Sequence, residues 1–267
     1  MGGPALTETA PPGRPGRLDY LWRLIATAFC FGLFGAGAIV LWAVLFPVVA
    51  PCLGRGVARK RRARWLMYQV FRFFVAVMCG CGLMDHAVSN PGPLNQPGQL
   101  VISNHPTLID VVLLISLIQN ATCVVKPALA RNPFMRAPIR AMGYLYADDP
   151  ETLLDRCAEE LREGSSLIVF PEGTRTPPDQ RLRAFQRGAA NIALKSGAAI
   201  LPVCIHSHPA WLTKQQPWHY VPPTRTFFRF EVGEAMVPDA VAGGLERPAA
   251  ARKLTRYWEE YFRERLD

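Results

Sequence analysis

The chain has 267 residues, half of them hydrophobic and 19% charged, with 24 prolines and a net charge of +9. That composition excludes a disordered chain, and the length suffices for a domain with a sizeable core. A mean hydropathy of +0.10 is too apolar for an ordinary soluble enzyme and too polar for a many-pass transporter, so a membrane anchor joined to a globular unit is expected.

The charge is concentrated. Residues 1–64 carry nine basic and two acidic side chains, and the remainder is close to balanced. A basic face on the folded part, as nucleic-acid binding requires, is therefore not expected. Seven cysteines without metal-type spacing suggest reduced thiols facing a cytosol rather than a disulfide framework.

In chain order, residues 1–19 are rich in Gly, Pro and Ala and predict a disordered tail. Residues 20–51 include an uncharged run from Leu24 to Ala50, long enough to cross a bilayer core of roughly 30 Å. Pro47 and Pro51 near its end also allow a half-inserted, monotopic hairpin. Residues 52–64 hold Arg55, Arg59, Lys60, Arg61, Arg62 and Arg64, read as a juxtamembrane anchor for anionic lipid that places the C-terminal part on the cytoplasmic face of a cell membrane. Residues 65–84 are apolar apart from Gln69 and Arg72 and predict an interfacial or membrane-embedded helix.

From residue 85 to 267 the pattern alternates. Strands are predicted at Gln99–Ser103, Thr122–Lys126, Tyr144–Ala147, Ser166–Phe170, Ala199–Ile205 and Thr226–Glu231. Helices are predicted at Thr107–Ile118, near Arg136–Met142, and at Glu151–Glu163, Phe185–Lys195 and Arg247–Leu266. Alternating strands and helices mean a single α/β domain behind the membrane-embedded helical segment.

Two stretches carry chemistry. In Ser103-Asn104-His105-Pro106-Thr107-Leu108-Ile109-Asp110, a histidine follows a strand and Pro106 suits a first helical position. Asp110 is one turn on, so the imidazole could fold back to a carboxylate that fixes its tautomer while the other nitrogen takes a proton. In Phe170-Pro171-Glu172-Gly173-Thr174-Arg175, a Gly-Thr turn lies at a strand's C-terminal end, where α/β sheets place ligands. Arg175 could clamp a phosphate or carboxylate there. His206 and His208 could share a strand face, but without a nearby cysteine or carboxylate cluster no metal site is expected.

Taken together, Asn104-His105-x-x-x-x-Asp110 and Phe170-Pro171-Glu172-Gly173-Thr174-Arg175, some sixty residues apart, resemble the glycerolipid (lysophospholipid) acyltransferase family, particularly its 1-acylglycerol-3-phosphate acyltransferases. The resemblance covers roughly residues 99–206, with Phe185-x-x-Gly188 and Ile200-Leu201-Pro202-Val203 similar to later family motifs. It implies catalysis by His105 and Asp110, with an acyl group moving directly from an acyl-CoA or acyl-carrier-protein thioester to a lysolipid hydroxyl. Glu172, Gly173, Thr174 and Arg175 are implied in holding the acceptor and Pro202 in shaping the donor site, while Lys126, Arg131 or Arg136 could supply further positive charge for the acceptor. The implied partners are the bilayer, the lysolipid and the acyl carrier, with no metal or bound cofactor. No Gly-x-Ser-x-Gly elbow is present, in keeping with a mechanism that needs no acyl-enzyme. One departure stands out: Gly143-Tyr144-Leu145-Tyr146-Ala147-Asp148-Asp149 has an acid where the family often has a phosphate-binding arginine. A non-glycerophosphate acceptor (an amino-acid lipid, glycolipid or aryl lipid) therefore stands beside 1-acylglycerol-3-phosphate.

Overall fold

The computed structural model of the chain describes residues 16–45, 48, 50–125, 133–147 and 149–266. Most of the expected tail, residues 1–15, lies outside the described residues; residues 17–19 are helical. Helix α1 (Arg17–Val40) continues through a wider turn at Leu41–Leu45. It is followed by α2 (Gly56–Gly80).

Among the described residues the α/β part is built on seven strands: β1 (Met84–Ser89), β2 (Leu100–Ser103), β3 (Ala121–Val125), β4 (Leu145–Tyr146), β5 (Ser166–Val169), β6 (Ile200–His208) and β7 (Thr226–Val232). They form one sheet in the order β1-β7-β6-β2-β5-β3-β4. All neighbouring pairs are parallel except β6 with β7. The helices between and after them are α3 (Asp110–Leu117), α4 (Pro133–Met142), α5 (Pro150–Arg162), α6 (Gly188–Ser196), α7 (Pro238–Ala242) and α8 (Arg247–Leu266).

Side-chain alternation sorts the core onto the two faces of the sheet. Val101 of β2 and Leu201, Val203 and Ile205 of β6 join the core under α2 and α3. Leu100, Ile102, Ile200 and Cys204 join the core under α5, α6 and α8, where Trp258 and Phe262 of α8 are fully buried. The central strand β2 has no exposed residue, as a parallel strand covered on both faces requires. Its C-terminal end, with that of β5, is where the chain turns into the two motifs.

Three expectations are corrected. The helix expected at residues 65–84 begins nine residues earlier and stops at Gly80, because Gly82 adopts a positive φ of 72° and turns the chain into β1. Met84–Ser89 is an edge strand pairing with β7 rather than part of a helix. The basic segment 52–64 is no separate element, and three of its six cations bond to protein, Arg62 through the Leu53 carbonyl at 3.2 Å. Lys60 donates to Glu160 Oε1 at 2.7 Å and to Glu163, while the buried Arg64 donates to Glu160 Oε2 at 2.7 Å and to the Met142 carbonyl at 2.7 Å. Arg55, Arg59 and Arg61 remain exposed.

This cluster fixes α2 to α5. Burial alone would raise the Glu160 carboxyl, but Arg64 and Lys60 outweigh it and hold the group below its ordinary value. Such a lowered acid contributes stability above the unfolded-state pKa and loses it as pH falls through the folded value. Arg64→Ala removes the buried donor on Glu160 Oε2 while Lys60 stays on Oε1, and is expected to cost about 1–3 kcal/mol in urea unfolding. The wild-type chain should also lose stability on acidification below the ordinary glutamate range, and Glu160→Gln should flatten that loss.

Candidate active site

His105 stands one residue beyond the Asn104 that follows β2, in a short turn before α3. Asn104 is buried and lengthens the sheet with its side chain: Nδ2 donates to the Ile205 carbonyl at 2.9 Å and Oδ1 accepts from the Ile205 amide at 2.7 Å. The start of the turn is thereby tied to β6. Thr176 N donates to the His105 carbonyl at 2.8 Å, tying the turn to the second motif as well.

Helix α3 begins at Asp110, not at Pro106 or Thr107 as the spacing predicts. The reason is local. The Thr107 amide donates to Asp110 Oδ2 at 2.8 Å and the Thr107 hydroxyl to Oδ1, so residues 107–110 close as a side-chain turn. That turn leaves Oδ2 2.8 Å from Nδ1 of His105. Asp110 has no solvent exposure; burial pushes its carboxyl up, while His105 and the two Thr107 donors pull it back. The His105 ring stacks on Phe170 with centroids 4.2 Å apart. With Nδ1 engaged by the carboxylate, Nε2 is the nitrogen left for chemistry.

The second motif begins beyond β5 and meets the first through Glu172. This carboxylate is 1% exposed. It accepts from the His105 amide at 2.9 Å, the Thr176 hydroxyl at 2.7 Å and the Arg183 amide at 3.2 Å. Burial raises it and those three donors oppose the rise. Its bonds make Glu172 a brace for the histidine turn. Gly173 has a φ of +68°, and a Cβ there would come within 2.7 Å of Gln186 Nε2, so only glycine fits. Gln186 and Phe185 spend their amides on the Pro171 carbonyl and Glu259, and α6 accordingly begins at Gly188 rather than Phe185.

Arg175 is half-buried and donates through Nη1 to the carbonyls of Leu212 and Thr213, each at 3.3 Å. Thr174 is half-buried beside it. Lys126 and Arg131 lie outside the described residues. Pro202 is buried within β6, opposite Ile102, and its carbonyl accepts from Gly233. Asp149 is the N-cap of α5, accepting from the Thr152 amide at 2.8 Å, a role the arginine of the resembling family could not fill. Sequence reasoning missed Thr107, Asn104 and Phe170. Asn104 and Phe170 head the two motifs without a role assigned to them, and Thr107 carried a signal of its own, a hydroxyl three residues before an acid at a helix start.

The residues that follow the histidine turn line an apolar cavity of about 170 Å³. Leu108, Ile109 and Val112 supply its inner wall, Trp211 and Leu212 its roof, and α1 and α2 close it with Cys30, Phe34 and Phe74 among others. The turn that carries the His105–Asp110 pair thus continues into the wall of an apolar slot.

Residues 86–206 match the sequence model of the Acyltransferase family. The chain is 33% identical over 118 residues to a chloroplastic 1-acyl-sn-glycerol-3-phosphate acyltransferase of Arabidopsis thaliana, covering 42% of this chain and 33% of the relative. It is 31% identical over 144 residues to a lyso-ornithine lipid O-acyltransferase of Pseudomonas aeruginosa, covering 52% of this chain and 54% of the relative. The chain spans 33% to 59% of the length of the first curated relatives it matches. Its fold is that of the crystal structure of the 1-acyl-sn-glycerophosphate acyltransferase from Thermotoga maritima, with a TM-score of 0.68 at 21% identity over 94% of this chain and 97% of the other.

Glu172→Ala leaves the buried His105 amide, Arg183 amide and Thr176 hydroxyl without their acceptor. It is expected to lower stability by about 1–3 kcal/mol and to speed hydrogen exchange at residues 104–107. Glu172→Gln, which keeps a carbonyl oxygen, should recover much of both.

Proposed function

The chain belongs to the glycerolipid acyltransferase family, and on that premise we propose that it is a membrane-bound O-acyltransferase acting on a lysophospholipid, 1-acylglycerol-3-phosphate being the acceptor of first choice. The observation that carries the proposal is the His105–Asp110 pair, set in a turn whose neighbouring residues Leu108, Ile109 and Val112 line the apolar cavity. In this reading Nε2 of His105 takes the proton of the acceptor hydroxyl as its oxygen attacks the thioester carbonyl. The new C–O bond forms, the C–S bond breaks, and the thiolate of CoA or of an acyl carrier protein leaves with the proton from the imidazolium. Asp110 steadies the imidazolium through Nδ1, and an acyl chain rests in the cavity. Arg175 meets the acceptor's anionic head group, exchanging its two carbonyl partners for it. No metal or bound cofactor enters these steps.

Membrane attachment is part of the proposal. Residues 17–44 form a helix long and apolar enough to cross a bilayer, only 17% of it buried in its most apolar window. At 1.5 Å per residue it is about 40 Å long. Yet Arg23 near its start is bonded to the Pro222 and Pro223 carbonyls, and Leu41–Leu45 at its end contacts α4. A helix bound at both ends to one globular unit lies along that unit. This favours the monotopic arrangement, with α1 in one leaflet, Leu21, Ile25 and Phe29 directed at lipid, and the catalytic part on the cytoplasmic face. Arg55, Arg59 and Arg61 then meet anionic head groups.

A second reading keeps the chemistry and changes the acceptor to an amino-acid lipid. It is favoured by the lyso-ornithine lipid relative. Purified protein in mixed micelles, given labelled acyl-CoA or acyl-carrier protein and a panel of lysolipids with and without phosphate, separates the two. Transfer to lysophosphatidate is expected, and His105→Ala should reduce it roughly 100- to 10,000-fold, the range for loss of a general base. Transfer confined to phosphate-free acceptors selects the second reading, and thioester hydrolysis without any acceptor dependence defeats both.

A further inference from the structure

Between β6 and β7 the chain makes a long excursion, residues 209–225, that touches both the catalytic turn and α1. Its first part roofs the site. The Leu212 carbonyl accepts from the Leu108 amide at 2.9 Å and, with that of Thr213, from Arg175, and Trp211 and Leu212 wall the apolar cavity. Leu212 holds a φ of +54°, a conformation a branched side chain adopts only when its surroundings enforce it. Its second part lies on α1: Arg23 donates to the Pro222 carbonyl at 2.9 Å and the Pro223 carbonyl at 2.6 Å, and Trp218 meets Phe31 edge-on with centroids 5.9 Å apart. The two parts are joined where Trp211 Nε1 donates to the Tyr220 carbonyl at 3.1 Å.

We propose that Arg23 is a positioning residue for acyl transfer: from the apolar helix α1 it holds the strap 209–225 so that Trp211 and Leu212 roof the acyl cavity and Leu212 anchors the turn beside His105. The proposal rests on the acyl-transfer reading above. Arg23 is 4% exposed, a costly place for a guanidinium, and apart from Asp19 its recorded acceptors are the two strap carbonyls. A planar fork serves two successive carbonyls where a lysine serves one direction at a time. The path from α1 is continuous: Arg23, Pro222 and Pro223, Tyr220, Trp211, Leu212, then Leu108 and Arg175. Seating of α1 and the shape of the site three residues from His105 are linked through it. Arg23 touches no reacting atom; it acts through the roof.

The test compares wild type with Arg23→Leu and Arg23→Lys, full-length and bound to vesicles of phosphatidylethanolamine and phosphatidylglycerol. Arg23→Leu should still sediment with the vesicles. Hydrogen exchange in peptides covering 104–113 and 209–225 should quicken at least tenfold, the Leu108 amide losing its fixed acceptor. Transfer from an acyl-CoA series should show KM raised about tenfold with a flattened chain-length preference and a smaller change in kcat, and Arg23→Lys should fall between. Unchanged exchange in those peptides overturns the proposal, as does faster exchange with an unaltered chain-length profile and KM. A wild-type protein that transfers to no acceptor overturns the acyl-transfer reading instead, and the exchange comparison still decides whether Arg23 holds the strap.

Discussion

Burying a carboxylate costs several kcal/mol unless donors surround it, and this protein does so twice against one histidine. Asp110 is matched by the His105 ring and both donors of Thr107, and Glu172 by the His105 amide, Thr176 and Arg183. The first sets the ring's direction and the second sets the backbone that carries it. Every donor on Glu172 other than His105 comes from the segment after β5, so the two motifs form one unit although 67 residues separate His105 from Glu172. A histidine held at backbone and ring has little rotamer freedom left, which is the condition the proposed transfer sets for a base meeting a hydroxyl at hydrogen-bond distance.

The rest of the fold follows from where that unit must stand. Strands β2 and β5 are parallel neighbours, so their C-terminal ends lie side by side and deliver His105 and the Pro171–Arg175 turn to the same edge. Asn104 extends the pairing with β6 by one residue beyond the strand's end, so the turn starts from a rigid frame. The opposite requirement, an apolar slot next to a polar pair, is met by Leu108, Ile109 and Val112. They occupy the stretch just past His105 and face α1 and α2 instead of the sheet edge.

Much of this was legible because the central strands are short apolar runs broken by turn residues, and because His105, Asp110 and the Glu172–Arg175 block are written contiguously. What failed to show depends on partners distant in sequence. Lys60 and Arg64 look no different from Arg59 and Arg61 within the basic run; only Glu160, some hundred residues on, distinguishes them. The Met84–Ser89 strand is polar and edge-lying, so it offered no alternation to read, and its pairing with β7 is non-local. Glu172 was read as facing substrate because a carboxylate beside a glycine turn carries no mark of its burial. Asp149 was read as a neighbour of phosphate, yet with Pro150 at the next position it has the signature of a helix cap.

The attachment of the apolar helices poses a separate physical problem. In the proposed membrane setting, the face α1 turns to protein gains little from burial, since lipid would cover it equally well. Apolar contact alone leaves such a helix free to choose among many orientations on the domain. Directional bonds remove the choice: Arg23 to Pro222 and Pro223, and Trp22 Nε1 to the Cys81 carbonyl at 3.0 Å, each admit one rotation of α1 about its axis. On α2, Arg64 and Lys60 do the same against Glu160 and Glu163. The buried cations Arg23 of α1 and Arg64 of α2 are thus the cost of orientation. They occur where the apolar cavity takes two of its walls from the helices they fix.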